Sequence, residues 1–200
     1  MSRPIIYVSV DIEADGPIPG MYSMLAFGAA AFRDPVGNPN PRGPMATFEA
    51  NLKPMEGAGT DPDTMAWWKT QPAAWAYVTS NQQDPAAAMP AFRKWLLALP
   101  GKPVVVGYPV TFDFMFIYWY MVKYTSHLGP VPFGFQGMDI KTQAASQMGV
   151  PFPQATKKNM PKRWFLGTPK HTHQALDDAL GQGILLMNML TEGSNKTPRP

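Results

Sequence analysis

The sequence predicts an α/β fold: a three-stranded antiparallel meander that continues into parallel strands, forming a mixed sheet flanked by helices. Three observations predict it. Three strand-patterned segments come first, helix-patterned and strand-patterned segments then alternate, and no linker divides the 200 residues. A chain of this length buries roughly 70% of its unfolded surface, enough for one full core. Residues 1–190 are expected to form a single domain, with 191–200 a disordered polar tail.

Each element has its own reason. "IIYVSVDIEA" (Ile5–Ala14) is β-branched and apolar, the pattern of a strand buried on both faces. "SMLAFGAAAFR" is a second strand, and "DPVGNPNPRGP" (Asp34–Pro44), with its prolines and glycines, can only be a loop. "MATFEANLKP" alternates apolar and polar residues and completes the meander. "DPDTMAWWKTQPAAWAYV" opens with capping aspartates and reads as helix, broken near Pro72. Phe92, Trp95, Leu96 and Leu99 stand at helical spacing in the next segment, which stops at Pro100-Gly101. "KPVVVGYP" is a fourth, buried strand. "TFDFMFIYWYMVKY" is an aromatic helix, "GMDIKTQAASQMG" a short strand running into a helix, and "THQALDDALGQGILLMNML" the last helix.

Composition excludes several classes of function. The absence of cysteine rules out a disulfide scaffold and a thiolate metal site, and suits a reducing cytoplasm, the expected location. An acidic pair interrupts the N-terminal segment too early for a signal peptide. The most apolar run, Phe114–Val122, falls far short of the roughly 20 residues that span a bilayer, so no membrane partner is expected. The net charge of +3 hides an asymmetry. Between Ile140 and Leu176 stand Lys141, Lys157, Lys158, Lys162, Arg163 and Lys170 with no acid, while the remainder is net acidic. Such a basic segment is the footprint of a polyanion binder.

The acids carry the chemistry. Asp11 and Glu13 alternate on the first strand, so both side chains point to one face. Two carboxylates on an apolar strand repel one another and lose solvation, and a hard divalent cation such as Mg²⁺ or Mn²⁺ relieves both costs. Asp113 stands after the fourth strand, at the start of an aromatic helix. The stretch "KHTHQALDDALGQG", from Lys170, puts His171, His173, Asp177 and Asp178 at the entry of the last helix.

These motifs together resemble the DEDD superfamily of 3′-to-5′ exonucleases in its histidine-bearing (DEDDh) branch, which includes ribonuclease T, oligoribonuclease and polymerase proofreading subunits. The resemblance runs from Asp11 to Asp178: "DIE" on the first strand, "TFD" after the fourth, and "HQALDDA" entering the final helix. It implies a ribonuclease H-like fold. It also settles the choice in the last motif, because only His173 and Asp178 have the family's five-residue step. Asp177 then lies about 100° away on the helix, and His171 is free to touch a phosphate.

What the resemblance implies is a two-metal hydrolase. Asp11, Glu13 and Asp178 hold one Mg²⁺ or Mn²⁺, and Asp11 and Asp113 reach a second. His173 is the general base, and nucleoside 5′-monophosphates leave the 3′ end of single-stranded DNA or RNA. The resemblance also admits a homodimer. In the family, the region of Trp67 and Trp68 lies beside the terminal nucleotide; adjacent helical positions diverge, so one tryptophan is expected in the core and one near the substrate. Tyr22 and Met24 are placed to meet the last base. The chain departs from the family at Tyr108, Pro109 and Val110, where many members have a polar His-Asn pair, and at Ala14 and Asp15, where two threonines are common; both departures bear on specificity. Two rival functions share these residues: an endonuclease of the ribonuclease H type, and a non-catalytic nucleic-acid-binding relative.

Overall fold

The structure, a computed structural model, describes residues 3–36, 38 and 40–196. Its sheet has five strands in the order β3-β2-β1-β4-β5. β1 (Ile5–Ala14), β2 (Met24–Arg33) and β3 (Ala46–Asn51) form the antiparallel meander. β4 (Lys102–Gly107) pairs with β1 and β5 (Gly137–Asp139) with β4, both in parallel. This is the expected mixed sheet.

Alternation along β1 assigns the two layers. Ile6, Val8, Val10 and Ile12 pack with Phe92, Phe116 and Tyr120 of α3 (Pro85–Ala98) and α4 (Val110–Thr125). Tyr7 faces the opposite layer, built by α5 (Ile140–Met148) and α6 (Ala175–Lys196), and Ser9, Asp11 and Glu13 follow it on that face. Across the strand pair, Glu13, Asp11 and Ser9 meet Ala26, Gly28 and Ala30. These small partners let α6 come down on the sheet: a Cβ at Gly28 would collide with the backbone of Ala175 and Leu176. A bulge between Glu13 and Ala14 ends the regular pairing beside the carboxylates.

The split helix between β3 and α3 appears as α1 (Pro62–Trp68) and α2 (Pro72–Val78), each with proline in its first turn. Asp61 caps α1 by accepting from Thr64 N at 2.8 Å. Two boundaries differ from expectation. The last helix starts at Ala175 rather than Thr172, because His173 takes a left-handed φ of 55°. It also runs to Lys196, through the first part of the expected tail, where Glu192 is held by Arg163 and Trp164 at 2.7 Å each; residues 197–200 lie outside the described residues. Among the described residues, no helix is long and apolar enough to cross a membrane.

Candidate active site

Three elements deliver the four acids to one end of the sheet. Asp11 and Glu13 come from the last turns of the β1 pleat, Asp113 from the first turn of α4, and Asp178 from the first turn of α6. Asp113 is 5% exposed and accepts a hydrogen bond from Ile12 N at 3.2 Å, so the β1 backbone itself orients it. Gly107 leaves the space it needs, since a Cβ there would lie 3.1 Å from Asp113 Oδ2. Asp178, also 5% exposed, accepts from Thr172 N at 3.3 Å and His173 N at 3.1 Å.

Ligand oxygens of Asp11, Glu13 and Asp178 all lie within 4.8 Å of one another. At such separations two like charges repel by about 3–4 kcal/mol at an effective dielectric of 20. Burial, joined by this repulsion at Asp11 and Glu13, favours the protonated form of Asp11, Glu13 and Asp113. Burial, then repulsion from Asp178 and Asp113, pushes Glu13 up to about 8. Burial pushes Asp113 up to about 7 against the Ile12 hydrogen bond. Asp11 stands well above the usual carboxylate range through burial first and its acidic neighbours next. Clustered, desolvated oxygen donors fit Mg²⁺ or Mn²⁺, which would replace those protons.

The histidines sit on the loop that precedes α6. His171 Nδ1 lies 2.7 Å from Asp178 Oδ1, a contact that sequence spacing did not anticipate. His173 reaches Asp178 through its backbone, while its ring meets His171 at 4.2 Å and Trp67 at 5.1 Å, both edge-on. Burial and then the neighbouring His171 lower its pKa. The imidazole is consequently neutral near pH 7 and able to accept a proton. Asp177 is half-buried and accepts from Thr172 Oγ1 at 3.1 Å, rather than standing free in solvent.

The two tryptophans diverge as helical geometry requires. Trp68 is buried, with Nε1 donating to Ala14 O at 2.9 Å, and Trp67 is 39% exposed beside His173. Tyr22 is half-buried and lies over Gly16, where a Cβ would collide with its ring. Met24 corrects an expectation: it is 0% exposed, in the core against Tyr120, so its side chain does not reach the surface on which a nucleotide could lie. Asp15 also turns inward, accepting from Ser23 N and so fixing the loop after β1.

Two site residues escaped sequence reasoning. Gln182, 5% exposed on α6, donates to Asp11 Oδ1 at 2.6 Å and leaves its own buried Oε1 without a hydrogen bond among the described residues. A glutamine one turn beyond Asp178 on the same helix face was the available signal. Lys157 lines a cavity of about 120 Å³ with His171, Asp178 and Gln182. Two other basic residues of its segment are engaged away from this cavity: Arg163 is paired with Glu192, and Lys141 lies over the Phe152 ring.

Comparison with known proteins agrees with this geometry. Residues 7–190 match the Rv2179c-like 3′-5′ exoribonuclease domain. An Escherichia coli relative named 3′-5′ DNA exonuclease Cap18 is 33% identical over 140 residues, covering 68% of this chain and 66% of the relative, just under two thirds of its length. Among solved structures, the nuclease domain of 3′hExo, a DEDDh family member bound to rAMP, superposes with a TM-score of 0.68 at 14% identity over 94% of this chain and 92% of that one. S. pombe Pop2p in its Mg²⁺- and Mn²⁺-bound form gives 0.68 at 14% identity over 98% and 86%. The fold is thus ribonuclease H-like, and the chain belongs to the Rv2179c-like 3′-5′ exoribonuclease domain family.

Proposed function

We propose that residues 1–190 act as a single exonuclease domain that removes nucleoside 5′-monophosphates from the 3′ end of single-stranded nucleic acid, using two Mg²⁺ or Mn²⁺ ions and His173 as general base. The observation that carries this function is the meeting of Asp11, Glu13, Asp113 and Asp178 at one sheet end, with Asp11, Glu13 and Asp113 raised above the usual carboxylate range. Asp11, Glu13 and Asp178 would hold one cation, and Asp11 with Asp113 the other. When bound, the cations supply charge stabilisation for the attacking and leaving oxygens. His173, neutral near pH 7, takes the proton of the attacking water. The water oxygen bonds to phosphorus, the P–O3′ bond breaks, and O3′ takes up a proton from solvent. Trp67, exposed beside His173, offers a face for the terminal base, and Tyr22 and His171 complete the substrate contacts.

Both RNA and DNA remain within this function, since the matched family is named for RNA and the E. coli relative for DNA. The enzyme is expected to work in the cytoplasm, in keeping with its lack of cysteine, and as a homodimer, which light scattering decides. The test is digestion of matched 5′-labelled RNA and DNA strands with Mg²⁺ or Mn²⁺. A ladder that shortens from the 3′ end and stops on chelation supports the function. Immediate internal cuts would instead favour a ribonuclease H-type endonuclease and overturn it.

A further inference from the structure

Lys157 lies on an exposed loop after α5, yet its ammonium has a fixed seat. Nζ stands 5.1 Å above the Tyr108 ring, and the Tyr108 hydroxyl donates to Ala155 O at 2.9 Å, close to the backbone of Lys157. Ring and lysine loop thus hold each other. Tyr108 follows directly on β4, at the same sheet end from which α4 brings Asp113. The seated lysine opens onto the cavity shared with His171, Asp178 and Gln182, and its charge acts on Asp11 and Asp113.

Neither ion pair among the described residues involves Lys157. Once cations fill the carboxylate cluster, a lysine lining the same cavity faces like charge, which an anion between them would relieve. A phosphodiester is such an anion. We infer that Lys157, held over Tyr108, is a phosphate-binding group of this site and receives a non-bridging oxygen near the 3′ end of the bound strand. Tyr108 is its positioning residue, so a position at which the chain departs from the DEDDh motif supplies a seat for a cation.

The inference rests on the exonuclease function above, and wild-type digestion separates the two: no 3′-end shortening by wild type fails the function, whereas the variants test the lysine. Lys157→Ala should raise KM by roughly 10–100-fold, the loss expected for one charge-assisted hydrogen bond. Fluorescence anisotropy of a short 5′-labelled single strand, with calcium in place of magnesium, should show the salt slope of binding falling by about 0.7. Lys157→Arg should recover most of both. Tyr108→Leu, which removes the seat, should weaken binding in the same direction, and the double variant Lys157→Ala/Tyr108→Leu should be no worse than Lys157→Ala. Because the lysine side chain is exposed, the Lys157→Ala thermal midpoint should stay that of wild type. An active wild type whose Lys157→Ala variant keeps its KM and salt slope overturns the inference.

Discussion

The sheet end and the histidine loop hold the two halves of the site in different ways. Asp11, Glu13 and Asp113 stand on β1 and α4, in or beside the core, and Asp113 is bonded to the β1 backbone itself. His171 and His173 stand on a loop tied down chiefly through Asp178, which accepts from Thr172 N and His173 N and meets His171 at 2.7 Å. The acids are thus set by folding, whatever the state of the site. The loop is set by the charge of one carboxylate, so its geometry answers to whatever else binds there. The comparison teaches that metal binding and proton transfer in this site should separate under mutation.

The largest effects belong to the sheet end. Asp11→Ala, Glu13→Ala, Asp113→Ala and Asp178→Ala should each bring hydrolysis down to the assay background, as should chelation, reversibly. Retained turnover in excess chelator would break the comparison at its root. Next comes the loop. His173→Ala should lower kcat by about 10²–10⁴-fold, the range of a general base, and His171→Ala far less. Asp177→Ala should likewise be mild beside Asp178→Ala. If His171→Ala were the dead variant and His173→Ala turned over normally, the proton acceptor would be the residue that contacts Asp178 directly.

Gln182→Leu sharpens the same contrast at smaller scale. Removing the 2.6 Å bond to Asp11 should raise the Mn²⁺ concentration for half-maximal activity by about 10–100-fold while kcat at saturating Mn²⁺ persists, as for other groups that orient a ligand. An unchanged Mn²⁺ dependence would mean that β1 alone positions Asp11.

The smallest expected effect is on stability against pH. Asp11, Glu13 and Asp113 have folded-state pKa values raised above those of the unfolded chain, with Glu13 at about 8 and Asp113 at about 7. Below about pH 4 these groups are protonated in both states and cost nothing. As pH rises from there toward 8, the unfolded chain loses protons that the folded chain keeps, so the metal-free protein becomes less stable. Calorimetry without metal should show the thermal midpoint falling between pH 5 and pH 8, at about 2–4 °C per kcal/mol for a chain of this size. Added Mg²⁺ should raise it more at pH 8 than at pH 5. A metal-free midpoint that climbs over this range would mean the acids are not coupled as described.

The sheet end was legible in the sequence because its signals are local. The period of two along β1 puts Asp11 and Glu13 on one face, and the apolar run around them fixes the strand bounds. The roughly 100° step between neighbours separates Trp68 from Trp67 without further information. The loop and the contacts across it were less legible because they are made in three dimensions. Nothing in "HTHQ" announces the left-handed turn at His173 that delays α6 and lets His171 reach Asp178. Gln182 meets Asp11 from the far end of the chain, and Met24 is buried because β2 is covered on both faces, which its sequence alone does not distinguish from an open edge. The tail was read as polar, yet Trp164 and Arg163 secure Glu192 and carry the helix onward.

One measurement tests the division of labour most directly: Mn²⁺ binding by isothermal titration alongside single-turnover hydrolysis, on wild type and His173→Ala. His171, His173 and Asp178 offer ligand atoms within 4.8 Å of one another, so the rival role for a histidine here is that of a metal ligand. The expected result is Mn²⁺ affinity equal to wild type with hydrolysis slowed by about 10²–10⁴-fold. Loss of Mn²⁺ affinity in step with the loss of hydrolysis would make His173 a metal ligand rather than the base, and would contradict the separation of the sheet end from the loop.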